Sequence, residues 1–129
     1  MIVPDASVVV ELLLGTPIAP RVSERLFAGE SLHVPELLDL EVTQALRRYY
    51  LMGDLTAQRG VEALEDLAAL PLRRYPHEPF LGRIWALRRN VSAYDAAYVA
   101  LAEALHATLI TRDSRLASAS GPKVAIELF

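Results

Sequence analysis

The stretch SAYDAAYVALAEALHATLITRD, Ser92 to Asp113, decides the fold. Ser92 with Asp95 three positions later fits a capping box, the mark of a helix start. From Ala96 to Ala102 the chain is apolar nearly all round, which predicts a buried helix running from Ser92 to His106. Thr108-Leu109-Ile110-Thr111 then reads as a short strand, and Asp113 follows it directly. A buried helix feeding a short strand is part of a βαβ unit, so the rest of the chain should repeat that alternation.

It does so in both directions. Ile2-Val3 reads as a strand leading into Pro4-Asp5, and Pro4, which cannot donate to a ladder, predicts that this strand ends at Val3. A helix over Ala6 to Leu14 stops at Gly15, and a second runs from Ile18 to Ala28 with Gly29 at its end. Ser31 to Val34 is a strand closed by Pro35. A long amphipathic helix follows from Glu36 to Met52, with Gly53 as its stop. Asp54 is the expected cap of a helix reaching Leu70. Leu72 to Tyr75 reads as a strand, Glu78 to Arg89 as helical, Ser114 to Ser118 as a helical turn and Val124 to Leu128 as a last strand. Short strands alternating with helices give an α/β fold, a parallel sheet with helices on both faces and ligands at the carboxyl ends of the strands.

At 129 residues with no repeat, linker or low-complexity tract, residues 1–129 form a single domain. Hydrophobic residues at 53% and charged ones at 22% exclude a disordered or fibrous chain. The absence of cysteine excludes disulfides and thiolate metal sites. A strand beginning at Ile2 leaves no room for a signal peptide, and no uncharged apolar run is long enough to span a membrane. The expectation is a soluble cytoplasmic protein. A net charge of −3 argues against nucleic-acid binding by bulk electrostatics. Lys123 is the only lysine, and the arginines come partly as pairs, Arg47-Arg48, Arg73-Arg74 and Arg88-Arg89. Arginine's planar fork suits phosphate, although such pairs also sit on ordinary solvated faces.

Four acids stand at element boundaries in apolar surroundings: Asp5, Glu41, Asp95 and Asp113. A carboxylate is costly to desolvate, so acids placed this way are candidates for a function. Gathered by the fold, they would make an all-oxygen pocket for Mg²⁺ or Mn²⁺ and point to metal-assisted phosphodiester hydrolysis. Each has an ordinary role too. Asp5 and Asp113 can cap the helices that follow them. Asp95 completes the capping box, and on a helical wheel it shares a side with Glu103 and His106. Glu41 is the most telling, because it interrupts the core stripe of Leu37, Leu38, Val42, Ala45, Leu46 and Tyr49; its rival role is a buried arginine pair. Asp39, Thr43 and Arg47 fall on the polar side and read as solvated. Ser7 and Thr111 set hydroxyls beside Asp5 and Asp113, where they could orient a carboxylate. Arg112 is a candidate for the scissile phosphate. His33, His77 and His106 show no ligand spacing and read as structural, and Trp85 as core or a partner-helix surface.

The acids and their settings, Asp5 in IVPDASVVVELL, Glu41 in PELLDLEVTQALRR, Asp95 in NVSAYDAAYVALAEAL and Asp113 in LITRDSRLA, resemble the PIN-domain ribonucleases, and among them the VapC-type toxins. The likeness covers essentially the whole chain. It implies a three-layer α/β/α sandwich around a short, mainly parallel sheet, with the acids clustered at one end. It also implies Mg²⁺- or Mn²⁺-dependent cleavage of RNA, a homodimer and a VapB-type antitoxin that masks the site. Two rivals come from other classes. A phospho-receiver wants an acidic pair after the first strand, where Asp5 stands alone. A catalytically silent PIN-like interaction module would keep the fold without cleavage.

Overall fold

The sheet grows outward from its first strand in both directions. In a computed structural model describing residues 1–129, β1 (Ile2–Pro4) lies at the centre of five parallel strands. β2 (Leu32–Pro35) and β3 (Leu72–Tyr75) lie on one side of it, and β4 (Thr108–Thr111) and β5 (Ile126–Leu128) on the other. All four ladders are parallel, as short strands joined through helices require.

The helices are α1 (Ala6–Leu14), α2 (Ala19–Leu26), α3 (Leu37–Leu51), α4 (Ala57–Ala69), α5 (Leu81–Ala86), α6 (Ala93–Leu105) and the single turn α7 (Ser114–Ser118). Alternation along the strands divides the core. Ile2, Leu32 and Ile110 pack with Val8, Val22 and Leu26 of α1 and α2. Val3, Val34 and Leu109 join the larger cluster with α3 and α6. The result is the three-layer sandwich expected from the alternation. Every residue of α6 from Ala96 to Ala102 is buried, and four of those seven are alanines, so the helix axis comes close to the strands it crosses. No single helix is long and apolar enough to cross a membrane.

Several boundaries depart from the sequence reading. β1 continues through Pro4, which pairs with Ile110 of β4. The Ile2 N–H goes to β2 and the Asp5 N–H to β4, so the donor that proline lacks would have faced β2. That side holds only the Ile2–Leu32 pair, and the β4 side runs on undisturbed. Asp54 does not cap α4; Thr56 does, accepting from the Arg59 N–H at 3.1 Å. Asp54 is used in closing α3, where Gly53 (φ +81°) and Asp54 donate to Tyr50 and Tyr49, a Schellman end. The helix expected over Glu78 to Arg89 is a 3₁₀ turn (Glu78–Phe80) followed by α5. Trp85 lies on the surface, 68% exposed, with the Arg88 guanidinium over its ring at 4.7 Å. Asp39 is not merely solvated but holds Arg74 of β3 by two bonds of 2.8 and 3.0 Å. His33 is structural as expected, between Ser31 and the Tyr75 hydroxyl.

Candidate active site

The strand order reverses between β1 and β4, the position where open α/β sheets collect ligands. Because Pro4 pairs with Ile110, Asp5 and Thr111 leave the sheet side by side. The Asp5 N–H extends the ladder to the Ile110 carbonyl at 3.0 Å. Asp5 is buried, and both its oxygens are held. Oδ1 accepts from the Ser7 hydroxyl and, as helix cap, from the Val8 N–H at 3.3 Å. Oδ2 accepts from the Thr111 hydroxyl. The same hydroxyls join the two strand ends. Ser7 Oγ accepts from the Arg112 N–H and Thr111 Oγ1 from the Asp113 N–H, each at 2.9 Å.

Asp113 caps α7, accepting from the Arg115 N–H at 2.8 Å and more weakly from Leu116. Asp95 lies in the first turn of α6, with its N–H on the Ser92 hydroxyl at 3.1 Å, the capping box read from the sequence. The wheel argument set Asp95 apart from the site. The structure brings it in because the end of α6, not its side, meets the strand termini. Glu41 enters from α3, inside the buried stripe as expected. Its rival role fails, since no arginine pairs with it. The Oε1 atom is buried without a hydrogen bond, and so is the hydroxyl of the neighbouring Tyr98. The two lie side by side, short of full hydrogen-bonding geometry, and the Tyr98 hydroxyl favours the ionised form of Glu41.

These side chains line one cavity of about 320 Å³. Asp5, Glu41, Asp95 and Asp113 all face it, with Ser7 and Arg112. Thr111 is fully buried behind Asp5. Three polar lining residues were not among those expected at the site. Glu11 lies one turn beyond Ser7 on the same face of α1, a spacing that could have revealed it; it holds the Arg112 guanidinium and accepts from Thr16. Arg48 and Tyr49 reach the cavity from α3. Tyr49 was expected in the core, yet it is 39% exposed, because the stripe runs past the end of the sheet.

Crowding of buried acids sets the electrostatics. Burial pushes the Asp5 carboxyl up, against its three hydrogen bonds, and Asp95 adds to the rise. Burial likewise raises Glu41, opposed by the neighbouring Tyr98 hydroxyl and reinforced by Asp95 and Asp5. Asp95 is raised by burial and then by Asp113, with Ser92 and Arg115 opposing. The Tyr98 hydroxyl is held un-ionised by burial and by Glu41. An all-carboxylate set with one unpartnered buried oxygen suits a hard divalent cation. No three of the groups stand close enough to ligate one ion directly. An ion held here would therefore have to reach some of these carboxylates through its own waters, which small hard cations retain.

Comparisons with known proteins bear on the family and the fold. The PIN-domain family profile matches residues 2–122. Ribonuclease VapC12 of Mycobacterium tuberculosis is 43% identical over 128 residues, 99% of this chain and 98% of that protein. Among solved structures, PAE2754 from Pyrobaculum aerophilum superposes with a TM-score of 0.74 at 22% identity, over 97% of this chain and 81% of that one. A toxin–antitoxin complex from Klebsiella pneumoniae gives 0.67 at 20% identity, over 97% and 96%. At such identities the superpositions speak for the fold, whereas the sequence match speaks for kinship along the whole chain. By that kinship, the chain belongs to the PIN-domain family and, within it, to the VapC ribonucleases.

Proposed function

We propose that this protein is an endoribonuclease toxin of a type II toxin–antitoxin pair, and that it hydrolyses RNA phosphodiesters at Asp5, Glu41, Asp95 and Asp113 with Mg²⁺ or Mn²⁺. The observation that carries the reading is the cavity itself. Four carboxylates from four elements meet in it, one locked at both oxygens and one buried with a free oxygen. Kinship with a protein named Ribonuclease VapC12 supports RNA as substrate. The likeness to a toxin–antitoxin complex supports a VapB-type antitoxin as partner. A homodimer in the cytoplasm completes the proposal. A catalytically silent module is not favoured, because the acids and their supporting hydroxyls are all present.

When bound, the divalent ion supplies Lewis acidity towards a phosphate oxygen and makes water a better nucleophile. Asp5, Asp95 and Asp113 would hold that ion between them, in part through its waters. Ser7 and Thr111 keep Asp5 in a single orientation, so little reorganisation is needed on binding. Glu41, raised by burial and unpartnered, is the group placed to orient the attacking water and accept its proton. Arg112 keeps N–H groups for a phosphate beside the one Glu11 occupies. Attack on phosphorus forms one P–O bond and breaks another, leaving a phosphate end and a hydroxyl end.

The test is cleavage of a mixed RNA pool with Mn²⁺ or Mg²⁺ by wild type, by Asp95→Asn and by wild type in EDTA. Cleavage by wild type with metal alone supports the proposal. Equal cleavage by Asp95→Asn removes that residue from the site, and no cleavage by folded, partner-free protein overturns the enzymatic reading.

A further inference from the structure

Five carboxylates line the cavity, Asp5, Glu11, Glu41, Asp95 and Asp113, against two guanidiniums, Arg48 and Arg112. A polyanion entering here meets a negative wall, so the cations that face it matter more than the overall charge suggests. Arg112, the arginine picked out from the sequence, is already engaged by Glu11. Arg48 is different. It is exposed at the cavity and makes neither an ion pair nor a side-chain hydrogen bond. The helix explains its position. Glu41, Ala45 and Arg48 fall at i, i+4 and i+7 on one stripe of α3, so the guanidinium follows the line of the acid two turns earlier. Ala45 between them is too small to fill the space. Its neighbour Arg47 turns the other way, onto a groove between α3 and α4.

We infer that Arg48 is the principal phosphate contact of the RNA, holding a phosphate of the bound strand at the α3 wall of the cavity. The inference rests on the ribonuclease reading above and adds to it a residue that holds substrate. An arginine free of internal partners keeps its whole fork for a phosphate, and it brings full charge to a wall where every other cation is shared. Arg112 becomes the lesser contact. Its charge is divided with Glu11, and its main work is to close the strand end against α1.

The experiment measures steady-state cleavage of a single-stranded RNA with Mn²⁺ across a range of NaCl concentrations, for wild type, Arg48→Ala, Arg48→Lys and Arg112→Ala. Binding of Mn²⁺ to the RNA-free proteins is measured by calorimetry, and binding of labelled RNA by anisotropy. For Arg48→Ala, KM should rise about tenfold with kcat nearly unchanged, as loss of a phosphate contact predicts. The slope of log kcat/KM against log salt should become shallower by about 0.7, the share of one phosphate on a single strand. Arg48→Lys should recover part of the KM, Arg112→Ala should move it less than Arg48→Ala, and Mn²⁺ affinity should not fall. An unchanged KM and salt slope in Arg48→Ala overturns the inference, as does a loss of Mn²⁺ binding, which would mark a structural role. If wild type binds Mn²⁺ but neither binds nor cleaves RNA, the ribonuclease reading fails first and takes this inference with it.

Discussion

Thr111→Val tests the tie between the two central strand ends. Valine keeps the shape of threonine and removes only the hydroxyl, which is fully buried and has two partners. It donates to Asp5 Oδ2 and accepts from the Asp113 N–H at 2.9 Å. A hydrogen bond to a charged group contributes about 1.5–3 kcal/mol, and an N–H left without its acceptor costs about 1 kcal/mol more. The expected loss is about 3 kcal/mol, equivalent to a fall in Tm of roughly 10 °C for a domain of this size. The loss should also depend on pH. The Thr111 hydroxyl favours the ionised form of Asp5, so removing it raises that carboxyl further above its already raised position. At low pH Asp5 takes a proton and needs the bond less, so the gap between mutant and wild type should narrow on acidification. Urea unfolding of both proteins in EDTA at pH 5 and pH 8 reads all of this. Thr111→Ser is the control, keeping the hydroxyl and losing about 1 kcal/mol for its methyl group. A Thr111→Val protein within about 0.5 kcal/mol of wild type at pH 8, below the cost of even one ordinary hydrogen bond, would refute the reasoning.

Three other outcomes follow, two at the site and one away from it. Glu41→Gln removes a raised, unpartnered carboxyl. The folded protein holds that proton more tightly than the unfolded chain, so wild type loses stability as pH rises from the ordinary carboxylate range through the raised value. The variant should therefore gain on wild type from pH 4 to pH 8 in EDTA; a difference flat with pH in thermal melts would contradict it. Mn²⁺ should raise the wild-type Tm at pH 7 and do little at pH 4, where the acids hold protons, with a weaker response in Asp95→Asn; equal responses at both pH values would exclude these acids as the ligands. Asp39→Ala breaks the pair with Arg74, whose side chains are 42% and 30% exposed, so it should cost no more than about 1 kcal/mol and leave cleavage unchanged. A large loss of activity there would extend the site beyond the cavity.

The chain announced much of this in its local patterns. The capping box at Ser92, the apolar run to Ala102 and the strand ending before Asp113 are short-range features, and the structure keeps them almost residue for residue. Glu41 was legible because a carboxylate in an apolar stripe is an anomaly on a wheel. Asp95 was not legible that way, since a wheel compares the sides of a helix and the site meets its end. Glu11 was missed, Tyr49 misplaced and Arg48 left undistinguished from its pair for a related reason. Whether a residue on the right face reaches the cavity depends on where the helix stops relative to the sheet. Asp39 shows the same limit, because its partner Arg74 comes from a strand 35 residues away.

By itself the sequence determined the α/β alternation, the acids worth watching and the absence of any thiolate or disulfide chemistry. Those properties are set by the preferences of residues for their near neighbours. Only the tertiary structure decided that Asp5 and Thr111 emerge side by side, because the order of strands in the sheet is a choice among long-range pairings. It also decided that one hydroxyl, Thr111, serves both ends. Above all it divided the arginines, giving Arg112 to Glu11 and leaving Arg48 free at the cavity. Charge pairing between residues 101 positions apart is fixed by packing, and no local pattern encodes it.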